Sequence, residues 1–182
     1  MREILRKTVH LVVGLGIAGF VAVAEQRLAV AVLMLAIFVG FILSDALAKG
    51  YTIPLVSPII ERLERREAVP GTGALFFVLS ALFCLVFFEP GIVVLALIVL
   101  AVLDSVTTLV GMRFGKTRIY NRKTLEGTLA GIAMTSAVLV PFLSPAPALL
   151  VAGAAGIVEL LSPVDDNLVI PLCACLILTF LP

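Results

Sequence analysis

Long apolar runs recur along the whole chain, separated by short polar connections, and this alternation limits what the chain can fold into. Of its 182 residues 62% are hydrophobic and 14% charged, and mean hydropathy is +1.22. A soluble domain carries charge on about a quarter of its residues. A single membrane anchor needs only about 20 apolar residues. The chain therefore reads as one integral-membrane domain over 1–182, an all-α polytopic transmembrane helical bundle. Helices are required because a bilayer offers backbone N–H and C=O groups no water to bond.

Breakers place the spans. The N-terminus has the layout of a secretory signal, a basic start, an apolar run and Ala22-Val-Ala24. Yet the basic residues reach Lys7, His10 lies inside the run, and about 20 apolar residues suit a first span. Glu25-Gln26-Arg27 leads to a second span over 28–47, after which Gly50, Pro54 and Pro58 interrupt the pattern. The 48–71 connection carries an amphipathic piece, 59–67, with Ile59, Ile60 and Leu63 on one face. It is expected to lie at the interface, or else to be a solvated charged linker. A third span covers 72–88, and Glu89-Pro90-Gly91 turns the chain into a fourth over 92–112. The basic loop 113–123 precedes a fifth span, from near 124 to before 145. Pro145-Ala146-Pro147 is a tight connection to a sixth span ending near 161, and 163–167 starts a last one.

About seven crossings put the N-terminus, 48–71, 113–123 and 162–167 on one side. Twelve of the thirteen Lys and Arg fall there, against Arg27 alone opposite. The positive-inside rule makes that side cytoplasmic, with the C-terminus outside. Asp45, Glu61, Asp104, Glu126, Glu159, Asp165 and Asp166 belong to the same side.

Nothing points to nucleic acid: there is no such motif and no interleaving of basic and aromatic residues. Cys84, Cys173 and Cys175 sit in apolar runs, and the Cys173-Ala-Cys175 spacing without a His partner is wrong for zinc.

The stretch 104–127, DSVTTLVGMRFGKTRIYNRKTLEG, concentrates the unusual chemistry. A carboxylate inside a span costs roughly 2.5–3.5 kcal/mol on insertion scales and usually faces a protein interior or a watery cavity. Asp104, Thr107, Thr108 and Gly111 recur at i, i+3, i+4 and i+7 on one helical face. With a helix end near Met112, Asp104 lies roughly 12 Å below it. Arg113, Lys116, Arg118, Arg122 and Lys123 follow, and Gly111, Gly115 and Gly127 allow close backbone approach. Acids that hold Mg²⁺ beside bases that hold phosphate oxygens are the ingredients of nucleotide chemistry at a membrane surface. A P-loop is excluded, since GxxxxGK[ST] is missing.

Plainer accounts stand beside these. The basic loop also serves topology and attraction to anionic lipid. Glu126 suits the first turn of a helix and can pair with Lys123, while Asp165 or Asp166 can cap the last helix. Asp104 can be a buried acid paired with a base for packing, His10 a polar packing residue, and Glu159 a hydrated acid near a helix end. Gly127-x-x-x-Gly131 packs helices within one chain or between two, leaving a homo-oligomer open.

Several of these pieces together resemble a known family. Arg6-Lys7 with His10 and Gly14, the run 65–75 (RREAVPGTGAL), Asp104 with Gly111 and Gly115, Lys123-Thr124-Leu125-Glu126-Gly127, and Glu159 followed by Asp165-Asp166-Asn167 and Pro171 carry the resemblance. The chain resembles the CTP-dependent lipid kinases, which include dolichol or polyprenol kinase, phytol kinase and the CTP-using diacylglycerol kinase. It departs from their pattern at Leu103, where glycine is usual, and at Thr107, where a small apolar residue is frequent.

The resemblance implies transfer of the γ-phosphoryl group of CTP to a lipid hydroxyl at the cytoplasmic face, with Mg²⁺. Asp104, Glu126, Asp165 and Asp166 are then the candidates for holding metal or taking the hydroxyl proton, with Asp104, Glu126 and Asp166 as metal ligands. Lys116, Arg118 and Lys123, with Gly111, Gly115 and Gly127, would hold the nucleotide. Arg6, Lys7, His10 and Glu159 would close the site, and Pro70-Gly71-Thr72-Gly73 would supply a turn near the substrate. The lipid tail would stay between helices. A membrane cytidylyltransferase making a CDP-lipid is the alternative reaction. A proton- or cation-coupled transporter and a non-catalytic lipid-binding subunit are the other classes.

Overall fold

The computed structural model describes residues 2–63, 69–120 and 123–181. Arg65, Arg66 and Glu67 of the 65–75 run, and Arg122 of the basic loop, lie outside the described residues. The described chain is mostly helical: α1 (Arg2–Val23), α2 (Gln26–Ala48), α3 (Val56–Leu63), α4 (Thr72–Phe87), α5 (Pro90–Phe114), α6 (Leu125–Leu139), α7 (Pro145–Leu161) and α8 (Asp166–Thr179). A small hairpin, β1 (Arg118–Tyr120) and β2 (Lys123–Thr124), interrupts the series between α5 and α6.

The helix boundaries follow local chemistry. Pro90 and Pro145 occupy first-turn positions, where a missing N–H costs nothing. Thr124 and Asp165 cap α6 and α8, accepting the N–H groups of Gly127 and Asn167 at 3.2 and 3.0 Å. Pro58 belongs to the first turn of α3, so this helix starts earlier than the expected 59–67 piece. The fifth apolar helix stops at Leu139, short of the expected 145, because Pro141 cannot continue it. Pro145 and Pro147 start α7 instead of forming a separate connection.

By length and apolarity α1, α2 and α5 are able to cross a membrane. The apolar helices α4, α6, α7 and α8 are shorter, at 16, 15, 17 and 14 residues. α8 also holds Pro171 in its interior.

α5 is the central pillar, packed against α1, α4, α6, α7 and α8. Leu97, Leu100 and Leu103 on α5 meet Leu85, Leu139 and Ile170 in the core. Around this apolar core the burial pattern departs from that of a soluble protein. Lys7, Asp104, Thr107, Thr128 and Glu159 are buried, while Val32, Leu35, Phe38, Phe41 and Ile42 of α2 are exposed. Apolar side chains outside and polar ones inside suit a hydrocarbon surround.

Glycines let α6 approach α5 closely. A Cβ added to Gly127 would run into the Thr107 carbonyl and come 3.1 Å from Gly111 Cα. One added to Gly131 would meet the Thr107 methyl. The Gly127-x-x-x-Gly131 pair thus packs two helices of the same chain.

Candidate functional site

Five helices bring their polar ends to one pocket of about 820 Å³, within the roughly 300–1,000 Å³ typical of small-molecule sites. It lies where α1, α6 and α8 begin and α5 and α7 end. Helix termini place Arg6, Lys7, Glu159, Asp165 and Asp166, the hairpin places Arg118 and Lys123, and Asp104 reaches the pocket from the middle of α5.

The first half of the wall is built by α1 on α5. Lys7 Nζ lies 2.6 Å from both carboxylate oxygens of Asp104, and both residues are buried. Ser105 donates to the Lys7 carbonyl at 3.2 Å, holding that turn of α1 on α5. His10 Nε2 stands 3.3 Å from Asp104 Oδ2 without hydrogen-bond alignment, and its ring packs edge-on to Phe77. Arg6 bonds Glu3 at 2.7 Å.

The second half comes from β2, α6, α7 and α8. Lys123 Nζ donates to Asp166 at 2.8 and 2.9 Å and also to the Glu159 backbone carbonyl. The Glu159 carboxylate is 3% exposed, yet its neighbours are distant: Thr107 Oγ1 at 3.5 Å, Thr128 Oγ1 at 3.4 Å and Lys123 Nζ at 3.6 Å. Beside it, Asn167 Nδ2 donates to the Gly73 carbonyl at 3.3 Å, and Asn167 Oδ1 is buried with no partner.

Glu126 points elsewhere. Its carboxylate accepts the backbone N–H groups of Lys116 at 3.0 Å and Thr117 at 3.1 Å, fastening the segment that leads into the hairpin. Its own backbone N–H, then those of Thr117 and Lys116, hold its pKa down to about 2 against an upward push from desolvation.

No family model matches this chain, and no solved structure matches it. A curated protein does. The uncharacterized protein MJ1137 of Methanocaldococcus jannaschii is 37% identical over 183 residues, spanning 98% of this chain and 93% of that protein. The chain belongs to the MJ1137 family. Its likeness to MJ1137 runs nearly end to end, so the family is defined over the whole bundle and not over one segment of it.

In this MJ1137-family chain the pocket wall includes Arg6, Lys7, Asp104, Gly111, Gly115, Arg118, Lys123, Glu159, Asp165 and Asp166, all singled out from sequence. Several other candidates stand off the wall. Lys116 is exposed outside it, and His10 lies behind Asp104. Gly71, Thr72 and Gly73 touch it only through the Gly73 carbonyl that Asn167 bonds. Gly127 is used for helix packing, with Thr124 wedged among Gly111, Gly115 and Gly127.

The expected metal set of Asp104, Glu126 and Asp166 does not converge. Among the described residues no three His, Cys, Asp or Glu side chains are arranged to hold a metal. Glu126 is committed to the loop backbone, and the two aspartates are each held by a lysine. Lys123 also bypasses Glu126, its expected partner three residues on, for Asp166. The donors that remain fit a different arrangement, because Mg²⁺ is commonly bound by one or two carboxylates plus substrate phosphates. Asp104 and Asp166, with the unpartnered Asn167 Oδ1 close by, have the hard oxygen chemistry for a cation that comes with a polyphosphate.

Sequence reasoning passed over Glu3, Thr124, Thr128, Ser162 and Asn167 as wall residues. Thr124, Thr128 and Gly131 do share one face at i, i+4 and i+7, a signal that was available.

Proposed function

We propose that the protein transfers the γ-phosphoryl group of CTP to the hydroxyl of a lipid alcohol, with Mg²⁺ accompanying the nucleotide, at the cytoplasmic face of a seven-span bundle. The observation that carries this reading is the composition of the pocket wall: Arg6, Lys7, Arg118 and Lys123 stand with Asp104, Glu159, Asp165 and Asp166 at one end of an otherwise apolar bundle. The choice of CTP rests on the resemblance to the CTP-dependent lipid kinases.

Phosphoryl transfer asks a protein mainly for alignment and charge neutralisation. Lys7, Lys123 and Arg118 supply positive charge for a triphosphate, and the N-termini of α6 and α8 point the same way. Asp104 and Asp166 would hold Mg²⁺, which when bound neutralises negative charge on the triphosphate. The lipid oxygen bonds to the γ-phosphorus as the bond from that phosphorus to CDP breaks, and its proton needs an acceptor. Glu159 is the buried wall carboxylate held only by longer contacts, Lys123 Nζ at 3.6 Å and the Thr107 and Thr128 hydroxyls at 3.5 and 3.4 Å, and we give it that task.

Seven spans are supported by the alternation of helix ends at the pocket and by the gathering of basic residues there. Three of the five helices whose ends form the pocket, α6, α7 and α8, are short, and a polar cavity at that end would take up part of the membrane depth. A Lys116→Cys variant labelled by an impermeant reagent only from the cytoplasmic side supports that topology; labelling only from outside refutes it.

The activity test is purified protein with CTP, Mg²⁺ and a panel of polyprenols, phytol-like alcohols and diacylglycerol. CDP and lipid monophosphate are the expected products. Pyrophosphate release with a lipid phosphate would assign a cytidylyltransferase, and no turnover with any lipid would overturn both.

A further inference from the structure

Each of the two aspartates best placed for a cation is closed off by a lysine. Lys7 Nζ takes both oxygens of Asp104 at 2.6 Å, and Lys123 Nζ takes both oxygens of Asp166 at 2.8 and 2.9 Å. Both pairs line the same pocket. A bare cation that reaches Asp104 or Asp166 meets a carboxylate already neutralised, and a bare polyanion that reaches Lys7 or Lys123 meets an ammonium group already paired.

We infer that the two Lys–Asp pairs reserve the pocket for a divalent cation and a polyphosphate bound together, each opening the place of the other. The inference rests on the nucleotide reading above only for the choice of polyphosphate.

Removing one partner of a buried ion pair leaves an uncompensated charge in a medium that solvates it poorly. A cation that draws Asp104 away strands Lys7. A phosphate that draws Lys7 away strands Asp104 beside a second anion. When both arrive the exchange closes: the carboxylate passes to the cation, the ammonium passes to a phosphate oxygen, and no charge is left alone. Lys123 has a further tie to the Glu159 carbonyl, so it stays at the pocket while its carboxylate partner changes. Such coupling is reciprocal: whatever the polyphosphate does for the cation, the cation does for the polyphosphate.

The test uses the full chain in detergent micelles, Mn²⁺ in place of Mg²⁺, and the spin resonance signal of free Mn²⁺ as readout. Inorganic tripolyphosphate is the probe, with protein-free titrations correcting for the complex formed in solution. Wild-type protein is expected to bind Mn²⁺ weakly alone and at least about tenfold more tightly with tripolyphosphate. Lys123→Met uncovers Asp166, so Mn²⁺ alone should bind it at least about tenfold more tightly than wild type. Lys7→Met should act likewise through Asp104. Because Lys7 is the more buried, Lys123→Met, whose pair keeps 18% and 21% side-chain exposure, is the variant relied on for folding. Arg27→Met, exposed and off the pocket wall, should match wild type.

Wild-type protein that binds Mn²⁺ alone as tightly as Lys123→Met overturns the inference. So does an Arg27→Met variant that gains as much. Cooperative binding of Mn²⁺ with tripolyphosphate but not with CTP supports the inference and removes CTP from the proposed function. CTP binding that is indifferent to the cation does the reverse.

Discussion

Lys7 on α1 and Asp104 in the middle of α5 form a buried two-pronged ion pair between residues 97 apart in sequence. The pair fixes the depth at which α1 rides on the central helix. Lys7→Met leaves Asp104 buried without its lysine and with only His10 Nε2 at 3.3 Å beside its carboxylate, and a loss of about 3–5 kcal/mol is expected in denaturation of the solubilised protein. A Lys7→Met/Asp104→Leu double variant should recover much of that stability while remaining inactive. If the double variant is less stable than either single one, the two side chains are not acting as a pair.

Gly127→Ala drives a methyl group into the Thr107 carbonyl and toward Gly111, forcing α6 off α5. Overpacking of this kind costs roughly 1–3 kcal/mol. Lys123 and Thr124 lie just upstream, so turnover should fall as well. Gly153→Ala on α7, with open space around it, is the control and should leave both melting and activity unchanged. Equal melting of the two variants would remove the steric account.

Glu126 stabilises the approach to the hairpin only while ionised. Its pKa is held at about 2, below the usual 4.5, so its contribution is present above the usual value and disappears as pH falls toward 2. The melting temperatures of wild type and Glu126→Gln should differ most above pH 5 and converge on acidification. A gap that widens in acid contradicts the assignment.

Glu159→Gln keeps the shape of the buried side chain and removes its basicity. With Glu159 as proton acceptor, kcat for the lipid alcohol should fall by about 10²- to 10⁴-fold, and KM for CTP should change little. A variant with unaltered kcat and an unaltered pH profile would assign the proton to another group.

Much of the fold is legible in sequence because hydrocarbon is an unforgiving solvent. The apolar helices, their breakers and the gathering of charge at one end follow from composition and spacing. The hairpin leaves no signal in the sequence: Arg118-Ile119-Tyr120 pairs with only Lys123-Thr124, too few residues to make a period. The polar face of α5 is legible, since helical spacing puts Asp104, Thr107, Thr108 and Gly111 together and all four reach the pocket wall. Which base would meet Asp104 was not legible, because a contact between α1 and α5 leaves no local spacing to detect. Glu126 misled for a related reason. A carboxylate in a first helical turn suits a ligand or the loop behind it, and backbone N–H groups facing that way decide the matter.

Pro171 has one further effect. It has no N–H to give to the carbonyl of Asn167, one turn earlier in α8. The first turn of that helix, with Asp166 and Asn167, is thereby joined to the remainder by one bond fewer. The entrance of the pocket is therefore held less tightly than the core-packed remainder of α8, where Ala174, Cys175 and Leu178 are buried.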